Sequence, residues 1–209
     1  MKKELFDQPW MSWAVEIQGI AQCGLAYVKD PFDRERYQRL RDISAEMLAL
    51  GAGIETAKAK EIFCCEKGYQ TPKLVTRAAV FRDGKILLVK ESNGLWSLPG
   101  GWTDVTETIG SNTVKETFEE AGLRVEPERL VALIDRDRYK KPSFPFGITE
   151  AFVLCRLIGG SFRRNVETSA ADFFSLEALP PLDPARCAIE ELELCFRAAA
   201  DEGWQPVFD

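Results

Sequence analysis

Hydrophobic periodicity changes abruptly at Gly68-Tyr69-Gln70-Thr71-Pro72-Lys73, and that break limits the architectures open to this chain. Before it, apolar residues recur at steps of three and four, the repeat of a helix. After it they alternate or run in short blocks bounded by turn residues, the habit of strands. Glycine and proline both interrupt regular structure, so the segment reads as a linker. The division expected is a helical amino-terminal domain over residues 1–68 and an α/β domain over 69–209.

The helical part divides into three. Trp10, Trp13, Ile17, Ile20, Ala21 and Gly24 form an apolar stripe on a helix expected to end near Gly24. Asp30-Pro31 marks a turn, and Asp33 is placed to cap a second helix. That helix carries Tyr37, Leu40, Ile43, Met47 and Leu50 on one side and stops at Gly51. A third is expected from Ile54 to Glu66. Three helices over so short a span bury little apolar surface alone. With two tryptophans near the start, the unit is expected to pack on the rest of the chain or on a second copy, as a homodimer.

Beyond the linker, Leu74–Arg82 and Lys85–Glu91 are strand-like and joined by Asp83-Gly84, a strong hairpin dipeptide. Leu130–Ile134, Thr149–Leu157 and Asp172–Leu176 add strands, and a last helix is expected from Pro184 to Ala200. One central and one terminal helix among strands point to an α/β layered domain.

Composition narrows the chemistry. The chain has no histidine, which excludes Ser-His-Asp and Cys-His hydrolases and histidine-ligated zinc. Its 27 basic against 33 acidic residues leave a net charge of −6, a poor field for holding nucleic acid. No apolar run reaches the roughly 20 residues of a membrane span, and MKKELFDQPWMSW lacks the apolar core of a secretion signal. The six cysteines form no C-x-x-C pair and read as reduced, mostly buried thiols of a cytoplasmic protein.

Residues 98–123, LPGGWTDVTETIGSNTVKETFEEAGL, carry the chemistry. Their second half is expected to be a helix from Glu107 to Ala121 that stops at Gly122. Glu116, Glu119 and Glu120 then leave one face at i, i+3 and i+4, with Val114, Phe118 and Ala121 toward the packed side. Glu107 lies about half a turn away. Gathered in a cleft about 5 Å apart, such charges repel by about 3 kcal/mol per pair at an effective dielectric of 20, which a cation or a proton relieves. Pro99-Gly100-Gly101 just before the helix allows close approach of backbone to a ligand. Hard ions such as Mg²⁺ or Mn²⁺ suit oxygen donors of this kind.

Gly101, Glu107, Glu116, Glu119, Glu120, Gly122 and Leu123 together resemble the Nudix box, G-x5-E-x7-R-E-U-x-E-E-x-G-U. Lys115 replaces its arginine and Thr117 its bulky aliphatic residue. The helical prefix, Gly68–Lys73 and Leu95–Trp102 extend the likeness to a bacterial subgroup that includes CDP-choline and ADP-ribose pyrophosphatases. The resemblance implies an α/β/α sandwich with a mixed sheet, and hydrolysis of a nucleoside diphosphate linked to another group. It implies Mg²⁺ or Mn²⁺ on Glu116, Glu119 and Glu120, helped by a carbonyl of Gly100 or Gly101. CDP-choline, giving CMP and phosphocholine, is the substrate placed first, with ADP-ribose its rival. Lys115 and Thr117 keep open a nucleotide-binding module that does not cleave.

The general base is open among Glu120, Glu150 and Glu167; the last lies near the returning segment Asp172-Phe173-Phe174. Arg77 and Arg82, five apart on one strand, face opposite ways, and Arg77 is the one expected to reach phosphate or to form a salt bridge. Trp102 is a candidate to stack on a nucleobase, whereas Trp96 suits the core. Tyr139 and Lys140, in a mixed-charge run, are candidates to touch choline or phosphate.

Overall fold

The computed structural model describes residues 8–140, 144 and 146–209 and divides into two compact units. One holds the described residues up to Pro72 with residues 144, 146 and 147; the other holds 73–140 and 148–209.

The first unit is three helices: α1 (Pro9–Tyr27), α2 (Pro31–Ala52) and α3 (Thr56–Phe63). Asp30, not Asp33, caps α2, its carboxylate accepting from the Asp33 amide at 2.9 Å. Proline follows at N1, where no amide hydrogen is needed. The helix runs past Gly51 and ends at Gly53, whose φ of 65° is the left-handed stop. α1 likewise continues beyond Gly24, and α3 is shorter than its sequence pattern, with Cys64 at its end.

The buried faces also differ from the expected stripes. Met11, Ala14, Gln18 and Ala21 turn inward on α1, and Ser44, Ala45, Leu48 and Ala49 on α2. Trp13, Ile20, Tyr27 and Leu50 are exposed instead. Small residues set the packing. A Cβ on Gly24 would meet the Tyr37 ring at 2.4 Å, and one on Gly51 the Trp10 ring at 2.0 Å. Large side chains along those lines would hold the helices apart.

The second unit is a mixed sheet between helices. Its strands are β1 (Lys73–Arg82), β2 (Lys85–Glu91), β3 (Trp96–Ser97), β4 (Leu123–Asp135), β5 (Ile148–Gly160), β6 (Thr168–Phe174) and β7 (Val207–Phe208). The order is β3-β2-β1-β5-β4-β7, with β6 also paired to β2. β1 runs parallel to β5, and β4 antiparallel to it. Asp83 and Gly84 both take positive φ (51° and 72°), the geometry of a tight hairpin whose twist matches its strands.

Alternation assigns the two faces. Ala79, Ile86 and Leu88 join one core cluster with Leu192, Cys195 and Ala198 of α5 (Ile189–Ala200). Ala78, Val80, Leu87 and Val89 join another with Ala121 of α4 (Ile109–Ala121). The sheet is therefore the middle of an α/β/α sandwich. α4 starts two residues later than its sequence pattern because Thr108 caps it: its hydroxyl accepts from the Ser111 amide, and the Ser111 hydroxyl accepts from the Thr108 amide. Glu107 therefore lies before the helix. α5 starts at Ile189 rather than Pro184, since the Glu191 carboxylate accepts from the Ala188 amide.

Candidate active site

The Pro99-Gly100-Gly101 turn is laid along the first half of β1. The Ala78 amide donates to the Pro99 carbonyl (2.8 Å), the Thr76 amide to Gly101 (3.0 Å), and the Thr103 amide to Leu74. A side chain fits neither glycine. At Gly100, with φ 148°, a Cβ would stand 1.9 Å from the Thr76 carbonyl oxygen. At Gly101 it would stand 2.6 Å from Oε2 of Glu116. The second contact brings the acidic helix against the turn.

On α4 the three glutamates differ in setting. Glu116 and Glu120 are buried, and Glu119 is exposed. The Gly100 amide donates to Oε2 of Glu120 at 2.9 Å. Burial nevertheless pushes the Glu120 carboxyl up to about 8, against the opposing pull of that amide and of Arg77, with Glu91 and Glu116 adding repulsion. A carboxylate so placed favours a proton or a cation. Lys115 reaches Glu116 (2.9 Å), Asp104 (3.0 Å) and Glu119 (3.5 Å). Hydrogen bonds to Glu116 and Asp104 hold its ammonium above the ordinary lysine value.

Thr117 is fully buried, its hydroxyl donating to the Thr113 carbonyl at 2.7 Å, so the packed position carries no unsatisfied polar group. Phe118, expected on the packed side, is 56% exposed.

Other sequence candidates fall in varied places. Arg77 is buried, donating to the Gly100 carbonyl at 2.9 Å and lying 3.4 Å from Glu150, the salt bridge that was one of its two expected roles. Arg82 is exposed on the opposite side, over the Phe173 ring. Glu150 is 1% exposed and bonded to Arg77 and Lys140, which removes it as a base. Lys140 is buried between Glu150 and Glu191, and Tyr139 packs against the core, so neither is placed to touch choline. Trp96 stacks edge-on with Phe174 in the core, while Trp102 is 45% exposed beside Val75.

Glu167 is exposed on a turn tied to the carbonyl end of α4. Asn165 donates to the Glu119 carbonyl (2.8 Å), and Thr168 to that of Glu120 (2.6 Å). The same asparagine accepts from the Glu167 and Thr168 amides. An asparagine two residues before the amide it accepts from is an Asx-turn signal that the sequence did carry. Asp104 and Glu91, which reach the site through Lys115 and through repulsion of Glu120, left no comparable sign.

The residues fit a divalent cation: oxygen donors on one helix, a buried carboxyl with a raised affinity for positive charge, and a turn kept clear of side chains. Among the described residues no three acidic or thiol groups converge as a ready cage. Lys115 instead supplies the positive charge between Glu116 and Glu119.

A model described as the NUDIX domain matches residues 72–192, more than half of the chain. This chain belongs to the Nudix family. A second model, described as a UDP-X-like N-terminal oligomerisation domain, matches residues 8–63, the three-helix unit. Among curated Nudix relatives, Bacillus subtilis YjhB, provisionally named an ADP-ribose pyrophosphatase, is 39% identical over 96% of this chain and 97% of its own. A crystal structure of an ADP-ribose pyrophosphatase from Streptococcus suis 89-1591 is 51% identical, with a TM-score of 0.63 over 66% of this chain and all of that one. A crystal structure of a UDP-X diphosphatase covers 99% of this chain and all of its own, at 32% identity and a TM-score of 0.63. The chain is a Nudix pyrophosphohydrolase. Among the described residues no helix is long and apolar enough to cross a membrane.

Proposed function

We propose that the protein hydrolyses the diphosphate bridge of ADP-ribose, giving AMP and ribose 5-phosphate, with Mg²⁺ or Mn²⁺ held by Glu116, Glu119 and Glu120. The observation that carries this is the buried Glu120 carboxyl beside the Gly100-Gly101 turn, with Glu116 against Gly101. A bound divalent ion supplies charge neutralisation and Lewis-acid polarisation of the diphosphate. Lys115 keeps Glu116 and Glu119 apart from each other's charge in its absence. Glu119, exposed and 3.5 Å from the Lys115 ammonium, is the ligand open to solvent. Glu167, on the turn anchored to the end of α4, is the group that takes the proton from the attacking water. Trp102, half exposed beside the turn, offers a flat face to the base of the nucleotide.

Two observations support ADP-ribose over CDP-choline in this reading. YjhB and the Streptococcus suis enzyme carry names of ADP-ribose pyrophosphatases. Of the two candidates for a choline contact, Lys140 is buried on Glu150 and Tyr139 is partly buried against the core. Measuring kcat/KM side by side on ADP-ribose, CDP-choline and a UDP-linked sugar, with products identified, tests the order. ADP-ribose should exceed the others by at least tenfold, and a higher value for either rival would overturn the assignment.

The helical unit is proposed to form a homodimer. Trp13, Ile20 and Tyr27 are each more than half exposed and recur every seven residues, one line along α1. Three large apolar side chains in such a line suit a surface covered by a second copy.

A further inference from the structure

Behind the acidic helix, the α/β unit buries a chain of four charges that the proposed chemistry does not use. Arg77 lies beside Glu150, Glu150 bonds Lys140, and Lys140 bonds Glu191. The side chains are 8%, 1%, 0% and 1% exposed, and the four charges sum to zero. Such an arrangement is a poor source of stability. Desolvating ions costs free energy that their attraction barely returns, and apolar residues of similar volume commonly do as well. Its geometry offers a different reason for its presence.

Both ends of the chain finish on backbone. At one end Glu191 accepts from the Ala188 amide and fixes the start of α5. At the other, Arg77 donates to the Gly100 carbonyl at 2.9 Å. The amide of that same glycine donates to Oε2 of Glu120. The Gly100 residue is thus gripped at its oxygen by a guanidinium and at its nitrogen by the carboxylate that faces the proposed ion. With φ at 148° and no Cβ, it has little intrinsic preference for this conformation.

We infer that Arg77, Glu150, Lys140 and Glu191 are positioning residues, whose buried chain holds the Gly100 backbone in the orientation that aims the Glu120 carboxylate. Glu150 is central. It stops the Arg77 guanidinium from swinging toward Glu120, which would neutralise that carboxylate in place of a cation. A lysine at 77 would keep the charge balance but reach only one of the two acceptors, since only the planar fork spans both. The inference rests on the proposed role of Glu120, and its test separates the two.

The experiment uses the full chain free of metal, in wild-type, Glu150→Gln and Arg77→Lys forms. Arg77→Lys is included because it retains the network's charge if Glu150→Gln does not fold. Amide hydrogen exchange is read first. The Gly100 amide should exchange at least tenfold faster in the variants, while Ala79 and Phe152, on the same two strands, keep their rates relative to one another. Mn²⁺ titration by calorimetry is read second, and the variants should bind at least tenfold more weakly than wild type. Unchanged Gly100 exchange in a folded variant overturns the positioning role, as does faster exchange with wild-type Mn²⁺ affinity. If wild type itself takes up no Mn²⁺, the metal-binding role of Glu120, and the aiming inferred from it, both fail. In that case faster Gly100 exchange would reduce the network to a backbone clamp.

Discussion

Gly100 and Gly101 are neighbours that exclude a side chain for different reasons, and the difference is measurable. At Gly100 a Cβ meets rigid backbone, the Thr76 carbonyl at 1.9 Å, and φ is positive. Gly100→Ala should therefore cost roughly 3 kcal/mol or more in urea unfolding. At Gly101 the Cβ meets the end of a flexible side chain, Oε2 of Glu116. Gly101→Ala should melt within about 1 kcal/mol of wild type yet lose metal affinity, because Glu116 must turn away to fit. Equal stability losses in the two variants would contradict this.

The Glu120 carboxyl gives a prediction with a definite sign. Its affinity for a proton rises from an ordinary 4.5 to about 8 through burial. In metal-free protein its contribution to stability is full below about 4.5 and declines as pH rises toward 8, because the unfolded chain ionises first. Cation binding displaces that proton. Calorimetry at pH 7 in two buffers of different ionisation heat should show close to one proton released per ion bound. Release of none would mean that the carboxyl is already ionised.

At the level of elements, sequence and structure part company in an instructive way. Spacing showed which residues of α1 and α2 share a stripe, but not which stripe turns inward. Large side chains drew attention to Trp13, Ile20 and Leu50, yet the core between the helices gathers Met11, Ala14, Ala45, Leu48 and Ala49, three of them alanines. Close packing favours small residues where two helices approach. Gly51→Ala should therefore destabilise the helical unit by about 1–3 kcal/mol, read as lost helical circular dichroism on heating. A neutral result would mean that Trp10 moves aside freely.

The acidic trio was legible because its members sit within one helix, where spacing alone fixes a common face. The buried charge chain was not, since its bonds join residues 73, 10 and 51 apart in sequence. Strand alternation put Arg77 and Arg82 on opposite faces, but no local pattern told a phosphate contact from an ion pair. The strand pattern located the β1–β2 hairpin through Asp83-Gly84, whereas β4 begins seven residues before its apolar block because its outer half alternates with charge.

For the whole molecule, two units carry separate consequences. The exposed line of Trp13, Ile20 and Tyr27 belongs to the unit matched by an oligomerisation-domain model. Trp13→Glu with Tyr27→Glu should shift light-scattering mass from dimer to monomer, since buried unpaired charges oppose association. A mass unchanged from wild type would place the interface elsewhere.

The proposed chemistry is cleavage of a diphosphate bridge by a cation on the α4 glutamates. Its most direct measurement is AMP release from ADP-ribose at saturating Mn²⁺, in wild type, Glu119→Gln and Glu120→Gln. Wild type should turn over at about 1 s⁻¹ or faster, and each variant at least about 10³-fold more slowly while remaining folded. Turnover at the wild-type rate in both variants, or none in any of the three, would contradict it.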